Sequence, residues 1–303
     1  MALTVGRVPD SGGAASEYHD SPSALRARLE SAGLRPSRAR GQNFLADPAL
    51  ADRIARLSAL RAGSAVLEIG AGLGGLTAAL ARTGSHVVAL EVDRGLIPLL
   101  RARVEPLGVQ VIEADALVAD LGGIVAQADD RLGGVPWSVV ASLPYNIATP
   151  LVLRLLEEVP AAHRMLVMLQ AEVAERMAAS VGDSAYGAVS VRVSYFAKAK
   201  VVTKVPPQVF IPRPRVSSAL LRLERHEVLG CAAEAEPFPG ARYPRLVELV
   251  RAGFGQRRKT LRHSLSNVVP PGAMEACGIS PGQRAEELNL EQWCRLAGFG
   301  GAE

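Results

Sequence analysis

Short runs of unbroken apolar residues alternate with segments of helical spacing between Ala65 and Leu169. Strands are expected near 65–69, 86–90, 109–113, 137–141 and 164–169. Runs that are apolar at every position belong in a sheet covered on both faces, and their alternation with helices predicts an α/β fold with a doubly wound parallel sheet. Two further β-rich runs, Val189 to Phe196 and Ser217 to Leu223, are expected to complete one edge. Past His226 the pattern changes: Tyr243 to Ala252 and Gly255 to Leu265 read as helices, Pro270-Pro271 breaks the run, and Leu288 to Leu296 reads as a final helix. This divides the chain into a larger domain over 24–226 and a small helical domain over 227–303. Residues Met1 to Ser23 are rich in Gly, Ser, Ala and Pro, lack the apolar centre of a signal peptide, and are expected to form a disordered extension. Ser23 to Gly33 follows with helical spacing at Leu25 and Leu29 and a glycine stop. No apolar run reaches the roughly 18 residues of a membrane span.

The strand at 65–69 runs into Gly70-Ala71-Gly72-Leu73-Gly74-Gly75 and then the helical run Leu76 to Arg82. Glycine is needed where backbone approaches a ligand closely, and a helix start offers unpaired N–H groups. The next strand ends in Glu91, 21 residues past Gly70, where an acid accepts both hydroxyls of a ribose. Dinucleotide sites space their glycines Gly-x-Gly-x-x-Gly, whereas this turn reads Gly-x-Gly-x-Gly-Gly and follows Glu68. A carboxylate suits a cation better than a pyrophosphate, so the ligand expected is S-adenosylmethionine, which carries a sulfonium and an ammonium. Asp115, ending the third strand, is placed to accept from that cofactor's adenine amine, or equally to cap a helix.

Ser142-Leu143-Pro144-Tyr145 closes the fourth strand. Proline has no N–H and a fixed φ, so neighbouring carbonyls are left to face a ligand. Tyr145 is then able to lay its ring on a base, a contact worth roughly 1–3 kcal/mol. The tetrad reads as a clamp for a planar exocyclic amine; taken alone, such a string is more often an ordinary turn after a buried strand.

In their order along the chain, these motifs resemble the ribosomal RNA adenine dimethylase family. Gly41-Gln42-Asn43-Phe44-Leu45, Leu169-Gln170-Ala171-Glu172-Val173, the 205–210 string ending in Phe210, and Gln256 to Arg262 add to the match, which runs from about Arg38 to about Gln292. The resemblance implies a Rossmann-like class I S-adenosylmethionine-dependent methyltransferase sheet with an antiparallel edge strand. It implies an enzyme that methylates N6 of two adjacent adenosines in a hairpin near the 3′ end of small-subunit rRNA, within a precursor ribosomal subunit. Cofactor contacts are implied for Asn43, Leu45, Gly70, Gly72, Glu91, Asp115 and Ser142. The target base would be held by Ser142, Leu143, Pro144 and Tyr145, with Phe210 stacking on it. The family usually carries asparagine at position 142; serine keeps an oxygen acceptor on a shorter arm, and activity is expected to survive.

The net charge of +4 is unevenly spread. No acid stands between Asp183 and Glu224, where Arg192, Lys198, Lys200, Lys204, Arg213, Arg215 and Arg222 lie. A second cluster holds Arg251, Arg257, Arg258, Lys259 and Arg262, and Arg26 to Arg40 adds a third. Such patches suit phosphate and predict salt-dependent nucleic-acid binding, with Arg213, Arg215, Arg257, Arg258, Lys259 and Arg262 as RNA contacts. RNA rather than DNA follows from the resemblance. Cys231, Cys277 and Cys294 have no metal-ligand spacing and are expected to be reduced thiols in a cytoplasmic, metal-free, monomeric protein. Two other classes stay open: a related nucleic-acid methylase, such as a resistance-type enzyme of large-subunit rRNA or a DNA adenine methylase, and a non-catalytic rRNA-binding assembly factor.

Overall fold

The structure, a computed structural model, describes residues 21–37, 40–226, 243–256 and 258–299. Its strands are β1 (Phe44–Leu45), β2 (Ala65–Ile69), β3 (His86–Glu91), β4 (Gln110–Glu113), β5 (Trp137–Ser142), β6 (Ala162–Gln170), β7 (Ala197–Val205), β8 (Phe210–Ile211) and β9 (Ser218–Arg225). The first eight helices are α1 (Pro22–Ser31), α2 (Pro48–Leu57), α3 (Gly75–Ala81), α4 (Ile97–Val104), α5 (Leu121–Leu132), α6 (Ala148–Glu158), α7 (Ala171–Ala178) and α8 (Ala188–Phe196). Beyond 242 come α9 (Tyr243–Gly255), α10 (Leu261–Ser264), α11 (Ala273–Ala276) and α12 (Leu290–Gly298).

The main sheet has the order β4-β3-β2-β5-β6-β9-β7. Strands β2 to β6 are parallel, and β9 runs antiparallel to both β6 and β7. Every residue of β2 is buried, with Ala65, Leu67 and Ile69 packed on the side of α5 and α6 and Val66 on the side of α2, α3 and α4. That two-sided burial is why the strand reads as an unbroken apolar run. Connections leave β2 toward β3 and β4 in one direction and β5 toward β6 in the other. In such sheets ligands bind in the crevice at the carboxyl ends where the winding reverses, here beyond Ile69 and Ser142. A small antiparallel pair, β1 with β8, sets Leu45 opposite Phe210 beside that crevice.

Two expectations need correction. Val189 to Phe196 is not a strand but helix α8, and the edge strand is β7. The β-branched alternation Val189, Val191, Val193 misleads because this helix is sunk on several sides, with Ser190, Val191, Val193, Tyr195 and Phe196 all buried. Ser190 Oγ accepts from Gly187 N–H (3.1 Å) and donates to the Arg176 carbonyl (2.5 Å), fixing the helix start. The helix expected over Gly255 to Leu265 is reduced to the single turn of α10. The N–H groups of Leu261 and Arg262 donate to the Gln283 and Pro281 carbonyls (2.7 and 2.9 Å) instead of to the preceding helical turn.

The chain is already helical at Pro22, capped by Ser21 Oγ, so the extension ends before Ser23; residues 1–20 lie outside the described residues, as does the boundary segment 227–242. The C-terminal helices pack on α8 through apolar and aromatic contacts: Tyr243 meets Tyr195 and Phe196, and Phe254 meets Tyr186 and Trp293. Tyr186 also donates its hydroxyl proton to the Leu288 carbonyl (2.9 Å).

Candidate active site

The two strand ends at the winding reversal bring the glycine turn and the proline tetrad together. Gly70 has φ +74°, and a Cβ there would sit 3.6 Å from Pro144 Cδ and 3.7 Å from the Ser142 carbonyl oxygen. At Gly72, φ is +58° and a Cβ would come within 3.1 Å of the Phe44 ring. Both positions therefore need glycine for conformation, and at Gly72 for space as well.

Glu91, 5% exposed, closes the turn from β3. Its Oε2 accepts from Gly72 N–H (2.8 Å) and its Oε1 from Val92 and Asp93 N–H (3.0 and 2.9 Å). Burial raises its carboxyl pKa, and the three N–H groups oppose that rise. Asp115, at the end of β4, is exposed; its Oδ1 accepts from Leu117 N–H (2.9 Å). Asp115 thus shapes its own turn, and Arg154 of α6 holds that turn by donating to the Ala116 and Ala119 carbonyls (2.8 and 2.6 Å).

Across the crevice lies the 41–45 segment. Asn43 Nδ2 donates to the Gly41 carbonyl (3.1 Å), and Gln42 Nε2 donates to Asp93 Oδ2 (2.7 Å), which Arg40 also reaches at 2.5 Å. Asn43, Leu45, Gly70, Gly72, Glu91, Asp115, Ser142, Leu143 and Pro144 all line one cavity, joined by Glu68 and Phe44. Tyr145 and Phe210 are not on that wall. Tyr145 is half-buried, its hydroxyl sharing a 2.6 Å hydrogen bond with Ser218 Oγ. Phe210, in β8, is 3% exposed and belongs to the apolar core shared with α2, α3 and α4.

Of the basic residues, Arg213, Arg215, Arg258, Lys259 and Arg262 are exposed, and Arg257 lies outside the described residues. The acid-free stretch does not form one continuous phosphate face. Arg192 is paired with Glu157 (2.8 Å), Lys204 with Glu175 (2.9 Å), and Arg222 donates to the Leu57 carbonyl (3.2 Å). Gln42 with Asp93, Arg154 and Ser218 are the site-supporting residues that the motifs left unassigned. Their partners are distant in sequence, so no spacing announces them.

The model of the family described as Ribosomal RNA adenine dimethylase matches residues 35–299. The chain belongs to the ribosomal RNA adenine dimethylase family. It is 41% identical over 276 residues to a protein named Ribosomal RNA small subunit methyltransferase A from Magnetococcus marinus, covering 90% of this chain and 95% of that one. A protein of the same name from Sphingopyxis alaskensis is 42% identical over 279 residues, covering 90% and 97%. The crystal structure of a dimethyladenosine transferase from Plasmodium falciparum shares the fold with a TM-score of 0.68 at 24% identity, covering 84% of this chain and 95% of that one. The 23S rRNA methyltransferase ErmE superposes with a TM-score of 0.62 at 29% identity, covering 84% and 98%. The fold is that of class I S-adenosylmethionine-dependent methyltransferases, and the chain is an S-adenosylmethionine-dependent rRNA adenine methyltransferase.

The residues present fit that methyl donor. Glu68, 1% exposed, shares a wall with the cavity, and its Oε2 has no hydrogen-bond partner among the described residues. Burial raises its pKa from 4.5 to about 8; the adjacent Thr77 hydroxyl tempers the rise without a well-directed hydrogen bond, and the Glu91 charge adds to it. A cation in the cavity satisfies the ionised carboxylate. In the free protein Glu68 holds its proton until about pH 8, whereas in the unfolded chain it ionises near 4.5. Its contribution therefore opposes folding increasingly as pH rises through that interval and levels off above it. Cofactor binding is expected to release a proton below about pH 8 and to tighten as pH rises toward that value. Titration calorimetry in buffers of different ionisation heat checks this, and Glu68→Gln should abolish the extra proton release.

Proposed function

We propose that this enzyme dimethylates N6 of two adjacent adenosines in a hairpin near the 3′ end of small-subunit rRNA, acting on a precursor subunit in the cytoplasm as a monomer. The close approach of Gly70 to Pro144 and the Ser142 carbonyl, which a Cβ would meet at 3.6 and 3.7 Å, supports the reading, because the glycine turn and the Ser142–Tyr145 tetrad are then neighbours. The relatives named for the small subunit stand at 41–42% identity over nine-tenths of the chain, against 29% for the large-subunit enzyme ErmE, which favours the small subunit.

An adenine N6 lone pair is delocalised into the ring and is a poor nucleophile. Ser142 Oγ and the Leu143 carbonyl accept its two N–H groups and draw the lone pair back onto nitrogen. The Pro144 carbonyl is less suited, since it already accepts from Ile147 N–H (3.2 Å). Tyr145 stacks on the base and fixes its angle; Phe210 joins the stack after a displacement that uncovers its ring. S-adenosylmethionine supplies an electrophilic methyl when bound, held by Asn43, Leu45, Gly70, Gly72, Glu91 and Asp115. Most of the rate gain comes from positioning and fixed dipoles, and the methylated nitrogen gives its proton to water. The segment 227–303 acts as the rRNA grip, with Arg257, Arg258, Lys259 and Arg262 on phosphates and Arg213 and Arg215 nearer the clamp.

Labelled methyl transfer to equal amounts of unmethylated small subunits and large-subunit rRNA tests the assignment. Label is expected in the small subunit. Label chiefly in large-subunit RNA would move the enzyme to the other substrate class, and saturable rRNA binding without label would make it an assembly factor.

A further inference from the structure

Ser218 is fully buried, at 0% exposure, in a strand paired on both sides. It is the first residue of β9 and is paired on one side with Gln170 of β6 and on the other with Val205 of β7. The preceding carbonyl, of Ser217, accepts from Ala171 N–H (3.0 Å). This rigid hydroxyl meets the Tyr145 hydroxyl at 2.6 Å, and it is the polar attachment of a ring that is otherwise only half-buried. Burial raises the Tyr145 pKa and the Ser218 hydrogen bond opposes the rise; either hydroxyl is able to donate to the other.

From this geometry we infer that Ser218 is a positioning residue for methyl transfer, fixing where the Tyr145 ring stands before the target base arrives. The inference rests on the reading that Tyr145 stacks on the target adenine. A ring held at its hydroxyl end cannot swing about the Cα–Cβ bond, so the base meets a surface already in place rather than one that must be ordered on binding. Ser218 also ends the exposed segment 212–217 that carries Arg213 and Arg215. The residue that anchors the ring is therefore continuous with a segment placed to touch RNA.

Single-turnover methylation of an rRNA hairpin, with 2-aminopurine replacing one target adenine in a parallel binding assay, tests the inference. Ser218→Ala and Tyr145→Phe are each expected to slow the single-turnover step by about 10-fold, and the double variant by no more than either alone. Both should weaken the quenching of bound 2-aminopurine, while S-adenosylmethionine affinity stays within about two-fold of wild type. Ser218→Thr, which keeps the hydroxyl, should restore most of the rate. The inference is overturned if Ser218→Ala leaves rate and quenching unchanged while Tyr145→Ala removes both, an outcome that leaves the stacking reading intact. It is overturned equally if the two single losses multiply in the double variant, or if Ser218→Thr is as slow as Ser218→Ala. Should Tyr145→Ala itself change nothing, the stacking reading fails first.

Discussion

Tyr145→Ala is expected to lower methyl-transfer turnover by about 100-fold or more, the scale on which misplacing a reacting group by an ångström acts. S-adenosylmethionine affinity should change by less than about two-fold, because Tyr145 does not line the cofactor cavity. The loss has two sources. Removing the ring takes away stacking worth roughly 1–3 kcal/mol, and it frees the base to tilt away from the line of attack. The Ser218 hydroxyl, fully buried, also loses its 2.6 Å partner. Quenched-flow rates and calorimetric cofactor affinities separate the two effects, and equal losses in both would contradict the role given to Tyr145.

Glu91→Ala is expected to weaken S-adenosylmethionine binding by about 100-fold or more, since hydrogen bonds to a charged group are each worth about 1.5–3 kcal/mol. Here one carboxylate gathers the N–H groups of Gly72, Val92 and Asp93 and so holds the glycine turn against the end of β3. Deleting it leaves those donors without their acceptor, so a lowered melting temperature should accompany the binding defect. Glu91→Gln keeps the shape and one oxygen acceptor; it should melt closer to wild type yet still bind the cofactor at least about 10-fold more weakly. If Glu91→Gln binds S-adenosylmethionine normally, the ribose contact assigned to Glu91 is wrong.

Most of the residues that line the cavity are legible in the sequence, and the reason is local. Gly70, Gly72 and Glu91 stand at or just past the ends of strands buried on both faces, so their apolar approach runs mark where the sheet stops and the cavity begins. The tetrad Ser142 to Tyr145 is likewise announced by the strand before it. What the motifs did not disclose depends on pairs that only the fold brings together. Tyr145 with Ser218, Gln42 with Asp93, and Arg154 with the Asp115 turn are separated by tens of residues, and each partner alone has an ordinary neighbourhood. Phe210 shows the opposite limit. Its place in the motif pointed to a stacking platform, whereas its 3% exposure places it in the core at rest. Helix α8 was hidden because its valines follow a strand-like alternation while tertiary packing selects the helix. The charge pattern overstated one surface for a similar reason: acids distant in sequence, Glu157 and Glu175, fold back onto Arg192 and Lys204.

The most direct test of the central claim is to incubate the protein with unmethylated small ribosomal subunits and S-adenosylmethionine, then digest the rRNA and weigh its nucleosides. Two N6,N6-dimethyladenosines per subunit, adjacent in one 3′-terminal fragment, are the predicted product. Monomethyladenosine alone, or no methyl group in that rRNA despite bound cofactor, would contradict it.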